Sequence, residues 1–441
     1  MKTVAFHTLG CKVNQYESEA MMDLFKKAGY EIVDFAERAD VYVVNSCTVT
    51  NEAARKSRQL ARRAKRENPL ATVAVVGCYT QVSPEEVQKI NGVDLVIGTA
   101  RRGDIVKLVE EVMAGRKPSV DILKWKELTD FEELKVNEFR ETTRAYIKIE
   151  EGCNQFCSYC IIPYARGPVR SRDIESVVQE VKNLVAQGVR EIILTGTHLG
   201  AYGYDWDDDE SLVKLLQKLA VIEGLGHIRL SSIEVTEVTD SLLKLISSEE
   251  KLCPHLHLPL QSGSDKILRK MRRPYTTADF REVVEDIRRK IPDPALTTDV
   301  IVGFPGEEEE YFQESYNFIQ EIGFSRLHVF PFSPREGTPA ARMKGQIPGD
   351  IKKRYSKKLR DLNKELMLAY QRRHLGQVRE VIIEERRDQE TGLLTGMTDN
   401  YIRVLIDDDD SYQGRLVKVE LTATHNYENA LGKIIYSKQE F

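Results

Sequence analysis

No stretch of this 441-residue sequence approaches the ~18 consecutive apolar residues that a membrane-spanning helix requires. The N-terminal run MKTVAFHTLGCKVN is too short for the apolar core of a secretory signal and has no small-residue cleavage site, so the expected location is cytoplasmic. Positive charge is not in excess. The 64 Lys and Arg against 69 Asp and Glu give a net −5, which argues against a protein that coats nucleic acid indiscriminately. Seven cysteines cannot all pair, and a disulfide framework is not expected in a cytosolic chain. No glycine-rich nucleotide fingerprint interrupts the N-terminal third. What remains is a chain of 41% hydrophobic and 30% charged residues, long enough for roughly two to four domains with their own cores. Clustered cysteines in such a chain point to metal binding or catalysis.

Residues 1–115 alternate strand and helix, which predicts a parallel sheet wrapped by helices. Val4–Thr8, Val41–Asn45, Thr72–Gly77 and Asp94–Ile97 read as strands; Glu17–Ala28, Glu52–Glu67 and Asp104–Met113 read as helices. Ser83, Pro84 and Glu86 read as an N-cap, a first-turn proline and a capping-box glutamate. Residues 116–143 are charged and weakly periodic, a linker with some helix. In 144–370 six strand candidates alternate with helices, which predicts a full or partial (β/α) barrel with its site at the C-terminal strand ends. They are Ala145–Ile149, Glu191–Leu194, Ile228–Ser231, His255–Leu258, Thr297–Val302 and Arg326–Phe330. Residues 371–438 carry five short strands, the last at Lys433–Ser437, and predict a small all-β barrel. Two basic stretches, Arg55–Arg66 and Lys352–Arg373, read as solvated helix faces that modestly favour a polyanionic partner.

Cys153, Cys157 and Cys160 form a CxxxCxxC loop just past the first strand of the central region. Three thiolates on one loop suit three irons of a 4Fe–4S cube and leave the fourth iron open. Zinc is the other reading, but no second Cys or His pair lies nearby to complete it. Cys11, Cys47 and Cys78 each follow a predicted parallel strand. Ligands of open α/β sheets bind at that edge, and the helices that follow favour thiolates. A second three-cysteine cluster is the sharper reading, with zinc and a non-cysteine ligand still open. Cys253 has no partner in sequence and is read as structural.

The Cys153–Cys160 loop, with Tyr159 before its last cysteine, resembles the signature of radical S-adenosylmethionine enzymes. The whole chain resembles the methylthiotransferases, in the stretches Gly10-Cys11-Lys12-Val13-Asn14, Asn45-Ser46-Cys47-Thr48-Val49, Gly77-Cys78-Tyr79 and Ile162-Pro163-Tyr164-Ala165-Arg166-Gly167. The resemblance implies an N-terminal methylthiotransferase domain, a radical core and a terminal RNA-binding barrel of the TRAM type. It implies two 4Fe–4S clusters, held by Cys11/Cys47/Cys78 and Cys153/Cys157/Cys160. Two S-adenosylmethionine molecules are consumed per turnover: one yields a 5′-deoxyadenosyl radical, the other methylates the transferred sulfur. The implied partners are a tRNA anticodon stem-loop, an electron donor of flavodoxin or ferredoxin type and a sulfur source. The segments after Cys11 and Cys47 resemble the subfamily acting on threonylcarbamoyladenosine at tRNA position 37. The isopentenyl subfamily typically has Gln-Met where Lys12 and Val13 stand. Alternatives are isopentenyladenosine in tRNA, a ribosomal protein, or a non-enzymatic iron–sulfur RNA-binding protein.

The resemblance also marks Tyr159, Thr195, Gly196, Glu234 and Asp299 as contacts for S-adenosylmethionine. Barrel packing competes with that reading at each. Ser232, Leu258–Ser264 and His257 have the same two readings. Arg166, Arg170 and Arg172 are candidates for RNA phosphate or for internal salt bridges, and Arg379 and Arg403 for RNA contacts on the terminal barrel.

Overall fold

In the computed structural model the described residues are 1–116, 119–136 and 143–435. Strands β1 (Thr3–Thr8), β2 (Glu31–Val33), β3 (Val41–Ser46), β4 (Thr72–Gly77), β5 (Leu95–Ile97) and β6 (Ser119–Asp121) form one parallel sheet in the order β2-β1-β3-β4-β5-β6. Helices α1 (Lys12–Lys27), α2 (Asn51–Glu67), α3 (Cys78–Val82), α4 (Pro84–Gln88) and α5 (Ile105–Met113) connect them. β3 and β4 are buried along their whole length, as their unbroken apolar runs require.

Two expectations fail here. The segment read as a linker supplies the sixth strand, because Ser119–Asp121 pairs with Leu95–Ile97 and continues the sheet. Ser83 makes no side-chain capping bond to α4; Glu86 instead accepts from the Arg58 guanidinium at 2.9 Å.

The central region has six parallel strands: β7 (Arg144–Lys148), β10 (Glu191–Thr195), β11 (His227–Leu230), β12 (His255–His257), β13 (Ala295–Val302) and β14 (Arg326–Pro331). A short pair, β8 (Glu150–Glu151) and β9 (Arg170–Ser171), flanks the cysteine loop. The trios β7-β10-β11 and β12-β13-β14 are joined by parallel bridges Ile228–Leu252 and Ser232–His257, giving a partial barrel open between β7 and β14. The N-terminal domain spans that opening. α1 lies on β7, and beyond β14 Arg335 donates to Thr48 Oγ1 at 2.8 Å.

The long helix Gly349–Arg373 packs on β14 with Tyr355, Leu359 and Leu362 inward. Five strands then close a small barrel: β15 (Val378–Ile383), β16 (Leu394–Thr398), β17 (Arg403–Ile406), β18 (Leu416–Thr424) and β19 (Asn429–Ile434). The last strand starts at Asn429, four residues before the expected Lys433, and part of the expected span lies outside the described residues. This barrel seats against the N-terminal ends of the central strands. Arg229 donates to the carbonyls of Thr398 (3.1 Å) and Asp399 (3.0 Å), and Tyr401 stacks on His255 at 4.2 Å between ring centres.

The first two domains are fastened by buried charge. Glu17 of α1 pairs with Arg102, with Arg166 and with Lys148 (3.0 Å), while Glu151 takes Arg166 at 2.7 Å and Lys148 at 2.6 Å. Burial opposes the charge of Glu17, yet Arg102, Arg166 and Lys148 together hold it below the usual carboxylate range. Removing one member of a buried ion cluster leaves the rest uncompensated. Glu17→Gln should therefore cost about 3–5 kcal/mol, read as a lower thermal midpoint. The sign of its pH dependence follows from the depressed pKa. The wild-type contribution is complete above the ordinary value of 4.5 and is lost as pH falls below it. The Glu17→Gln protein should accordingly lose less midpoint on acidification than wild type.

Candidate active site

The three N-terminal cysteines emerge from adjacent strands. The register pairs Thr8 with Asn45 and Ser46 with Gly77, so Cys11, Cys47 and Cys78 leave the same sheet edge. Glycines make the approach possible. A Cβ on Gly10 would lie 3.1 Å from the Cys47 Cβ, and one on Gly77 (φ +99°) would lie 2.6 Å from Asn45 Oδ1. Asn14 locks the loops by donating to Asn45 Oδ1 and the Ser46 carbonyl, both at 3.1 Å. Cys11 is exposed at the N-terminus of α1, whereas Cys47 and Cys78 are buried. Arg166 donates from Nε to Cys78 Sγ at 3.1 Å.

The second set lies on the loop between β8 and β9. Cys160 N donates to the Cys157 carbonyl at 3.0 Å, and Gln155 N donates to Cys153 Sγ at 3.5 Å. Arg273 donates to Cys157 Sγ at 3.3 Å and is ion-paired with Glu234. His198 Nδ1 lies 3.7 Å from Cys153 Sγ, and its Nε2 lies 2.6 Å from Glu237. Burial disfavours a charged His198, but the bonds to Cys153 and Glu237 raise it to about 11.

All six thiols are free, and burial pushes Cys78 and Cys160 up to about 12 and raises Cys47 and Cys157. Loading a metal must displace those protons. The spacing discriminates between one ion and a cluster. Among the described residues, the one group of three ligand atoms within 4.8 Å of one another is Glu191, His227 and Cys253, so neither thiol set is tight enough to share a single ion. A cube binds each thiolate through a different iron and needs the wider arrangement. Each set thus fits a 4Fe–4S cluster better than zinc. Glu191 is a poor cation ligand, being occupied by Arg144 (2.9 Å) and Arg229 (3.3 Å), and Cys253 remains structural.

Cys160 of the second set lines a cavity of about 220 Å³ between the two domains. Its walls include Val49 and Thr50 from the loop after Cys47, Tyr159 and Cys160, and Asp299 and Phe330 from the barrel. Tyr159 and Asp299 thus line the chamber; Asp299 also meets His257 Nε2 at 3.2 Å. Thr195 ends β10 and is buried. Gly196 leaves room for Glu150, whose Oε2 would lie 2.6 Å from a Cβ there. Glu234 is turned to Arg273, one step behind the cysteine loop.

The arginines expected to face RNA are committed internally. Arg166 joins the buried cluster, Arg170 donates to the carbonyls of Leu128, Arg166 and Pro168, and Arg172 pairs with Glu180. Arg379 forms a two-point pair with Asp399 at 2.8 and 2.9 Å, and Arg403 donates to Asn429 and Asp388. Arg273, His198 and Glu150 were missed in sequence. Only His198 lay near a marked strand end; Arg273 is more than a hundred residues from the thiol it touches.

Residues 3–98 match the family described as "Uncharacterized protein family UPF0004", and residues 147–319 match the Radical SAM superfamily. The chain is 46% identical over 424 residues to "Threonylcarbamoyladenosine tRNA methylthiotransferase MtaB" of Bacillus subtilis, covering 96% of this chain and 94% of the relative. The chain belongs to the radical S-adenosylmethionine methylthiotransferase family. A relative with a different name, the "tRNA-2-methylthio-N(6)-dimethylallyladenosine synthase" of Moorella thermoacetica, is 38% identical over 433 residues, covering 97% of each chain. Among solved structures, the radical S-adenosylmethionine methyltransferase TsrM of Kitasatospora setae aligns with a TM-score of 0.60 at 16% identity over 77% of each chain, a likeness of fold. As a methylthiotransferase the protein uses two 4Fe–4S clusters and S-adenosylmethionine.

Gly196 tests the chamber's construction. Gly196→Ala should cost about 1–3 kcal/mol through overpacking against Glu150. The double variant Gly196→Ala/Glu150→Ala should recover part of that loss, and a thermal-unfolding double-mutant cycle measures the coupling.

Proposed function

We propose that this methylthiotransferase installs a methylthio group at carbon 2 of N6-threonylcarbamoyladenosine at position 37 of tRNA. The observation that carries the reading is a cavity walled by Cys160 of one thiol set and by Val49 and Thr50 of the loop after Cys47 of the other, in a chain alike over almost its full length to a relative of that name. Cys153, Cys157 and Cys160 would hold the cluster that takes S-adenosylmethionine, and Cys11, Cys47 and Cys78 would hold the cluster that carries the transferred sulfur. When bound, these groups supply the radical that breaks an unactivated C–H bond and the sulfur that replaces the hydrogen.

The chain's own residues position and shield that chemistry. Arg273 and Arg166 each donate to one thiol, Cys157 and Cys78, and favour its thiolate. Tyr159, Phe330 and Val49 give the chamber apolar walls, and the exposed Val49 and Phe330 are free to be covered by the incoming substrate. The substrate base must leave its stack to enter, which an unpaired anticodon-loop base does at least cost.

Domain limits near 115, 143 and 370 remain our division of the chain, with β6 added to the first domain. The terminal barrel is the RNA-gripping element in this reading. Since Arg379 and Arg403 are engaged, exposed Lys418 and Lys433 on β18 and β19 are the better candidates. An electron donor of flavodoxin or ferredoxin type and a sulfur source complete the cycle, in the cytoplasm where tRNA is modified. No helix among the described residues is long and apolar enough to cross a membrane.

Nucleoside mass spectrometry tests the reaction. The anaerobically reconstituted protein, given S-adenosylmethionine, reductant and sulfide, should add a methylthio mass to threonylcarbamoyladenosine in tRNA and not to isopentenyladenosine. Formation of 5′-deoxyadenosine without any nucleoside gaining mass would overturn the tRNA substrate. Iron analysis tests the ligands: roughly eight irons per chain are expected, falling to about four when all three cysteines of either set become alanine.

A further inference from the structure

We propose that Lys270, Arg272, Arg342 and Lys344 form the docking surface for a small acidic one-electron carrier, on the face of the central barrel that backs the Cys153–Cys160 loop; this rests on the radical reading of that loop and gives the electron donor named above its place. Two segments build the face: the short helix Asp265–Met271 with the residues after it, and the turn that begins at Pro339–Arg342. Both are bonded to Ser158, the residue after Cys157. Ser158 donates from N to the Met271 carbonyl at 2.9 Å and from Oγ to the Lys270 carbonyl at 2.8 Å, and its own carbonyl accepts from Ala340 N at 2.8 Å. Gly306 links the two segments to each other. Its N donates to the Gly345 carbonyl at 2.8 Å, and a Cβ on it would collide with the Lys270 ammonium. Arg272 directly precedes Arg273, which donates to Cys157 Sγ at 3.3 Å.

The face carries positive charge without local compensation. Neither 266–278 nor 337–349 contains an Asp or Glu, and together they hold seven Lys and Arg. Three of the seven are accounted for. Arg273 is buried and paired with Glu234, Lys266 donates to the Tyr311 hydroxyl, and Arg269 lines a cleft with Asp265, Glu314 and Glu321. The side chains of the other four make no hydrogen bond or ion pair among the described residues, and Arg272, Arg342 and Lys344 are exposed. Met343, between two of these cations, packs with Tyr159 of the cysteine loop around Phe304 and Phe332.

An electron carrier suits this place better than RNA. None of the four cations lines the substrate cavity, whose walls include the loop after Cys47 and the strands β13 and β14. Electron transfer falls steeply with distance, so a donor must dock where little protein separates its surface from the cluster. Here a single residue, Arg273, stands between exposed Arg272 and a thiol. Redox encounters are small, transient and guided by charge, which a cationic face without a deep apolar groove provides. One electron passes: it is lost by the carrier and gained at the Cys153/Cys157/Cys160 site.

The test uses the full reconstituted chain, a bacterial flavodoxin in its hydroquinone form, and dithionite as a reductant that needs no docking. Its readouts require no modified nucleoside, so they are independent of the tRNA substrate. Arg272→Glu/Lys344→Glu should slow flavodoxin-driven formation of 5′-deoxyadenosine about 10-fold or more at low salt, chiefly through KM for flavodoxin, and weaken equilibrium binding of flavodoxin by a similar factor. With dithionite the variant should stay within about twofold of the wild type, because charge at a docking face governs association and not the chemistry. Lys107→Glu/Lys182→Glu changes the net charge equally at exposed sites elsewhere and should behave as wild type. Carbodiimide coupling of wild-type protein to flavodoxin should join flavodoxin carboxylates to Lys270 or Lys344, a result that needs no variant to fold. Unchanged flavodoxin binding in the Arg272→Glu/Lys344→Glu protein would overturn the surface, as would cross-links confined to other lysines or an equal loss in the control pair. If the variant loses tRNA affinity and keeps its response to flavodoxin, the face belongs to RNA and the proposal falls.

Discussion

Two carboxylates and three cations, all buried, hold the first two domains in one arrangement. Glu17 and Arg102 come from the sheet domain; Lys148, Glu151 and Arg166 come from the barrel. Such a cluster is not an efficient source of stability, since desolvation consumes most of its attraction. Its value is geometric. A hydrophobic contact would tolerate sliding, whereas these charges, with Glu132 completing Arg102 at 2.8 Å, are matched in only one register. Everything in the chamber depends on that register, because one thiol set belongs to each domain.

The two thiol sets are built alike although their folds differ. Each has one thiol that accepts from an arginine, and each arginine is held by carboxylate: Arg166 by buried Glu17 and Glu151, Arg273 by half-buried Glu234. The carboxylates fix the guanidinium planes and keep either cation from overwhelming its neighbourhood. Access is graded within each set: Cys11 is exposed beside buried Cys47 and Cys78, and Cys153 and Cys160 are half-buried beside buried Cys157.

Most of the architecture was legible because it rests on short-range pattern. Apolar runs such as residues 41–44 mark strands buried on both faces, and cysteines just past three of the strands mark a shared edge. Ser119–Asp121 was not legible as a strand. At three residues it carries no periodicity, and only the waiting edge of β5 makes it one. Ser83 shows the same limit: a capping sequence lost its glutamate to Arg58, a competitor from another helix. The six cysteines could be read singly, but their partners could not. Arg273 and Glu234 meet the loop only through the barrel's curvature. Arginines near a reactive loop look like RNA contacts in sequence, and burial alone assigns Arg166 and Arg172 to the interior.

The seating of the terminal barrel changes how a shortened chain should be understood. Tyr401 stacked on His255, with the Thr398 and Asp399 carbonyls on Arg229, makes this barrel the stopper of the central one. A chain cut after the long helix would open the lumen from below. The radical chemistry above would then be exposed to bulk solvent, and idle cleavage of the cofactor would be a natural result. The small barrel is thus half of an enclosure, and its removal is not a neutral deletion of an accessory module.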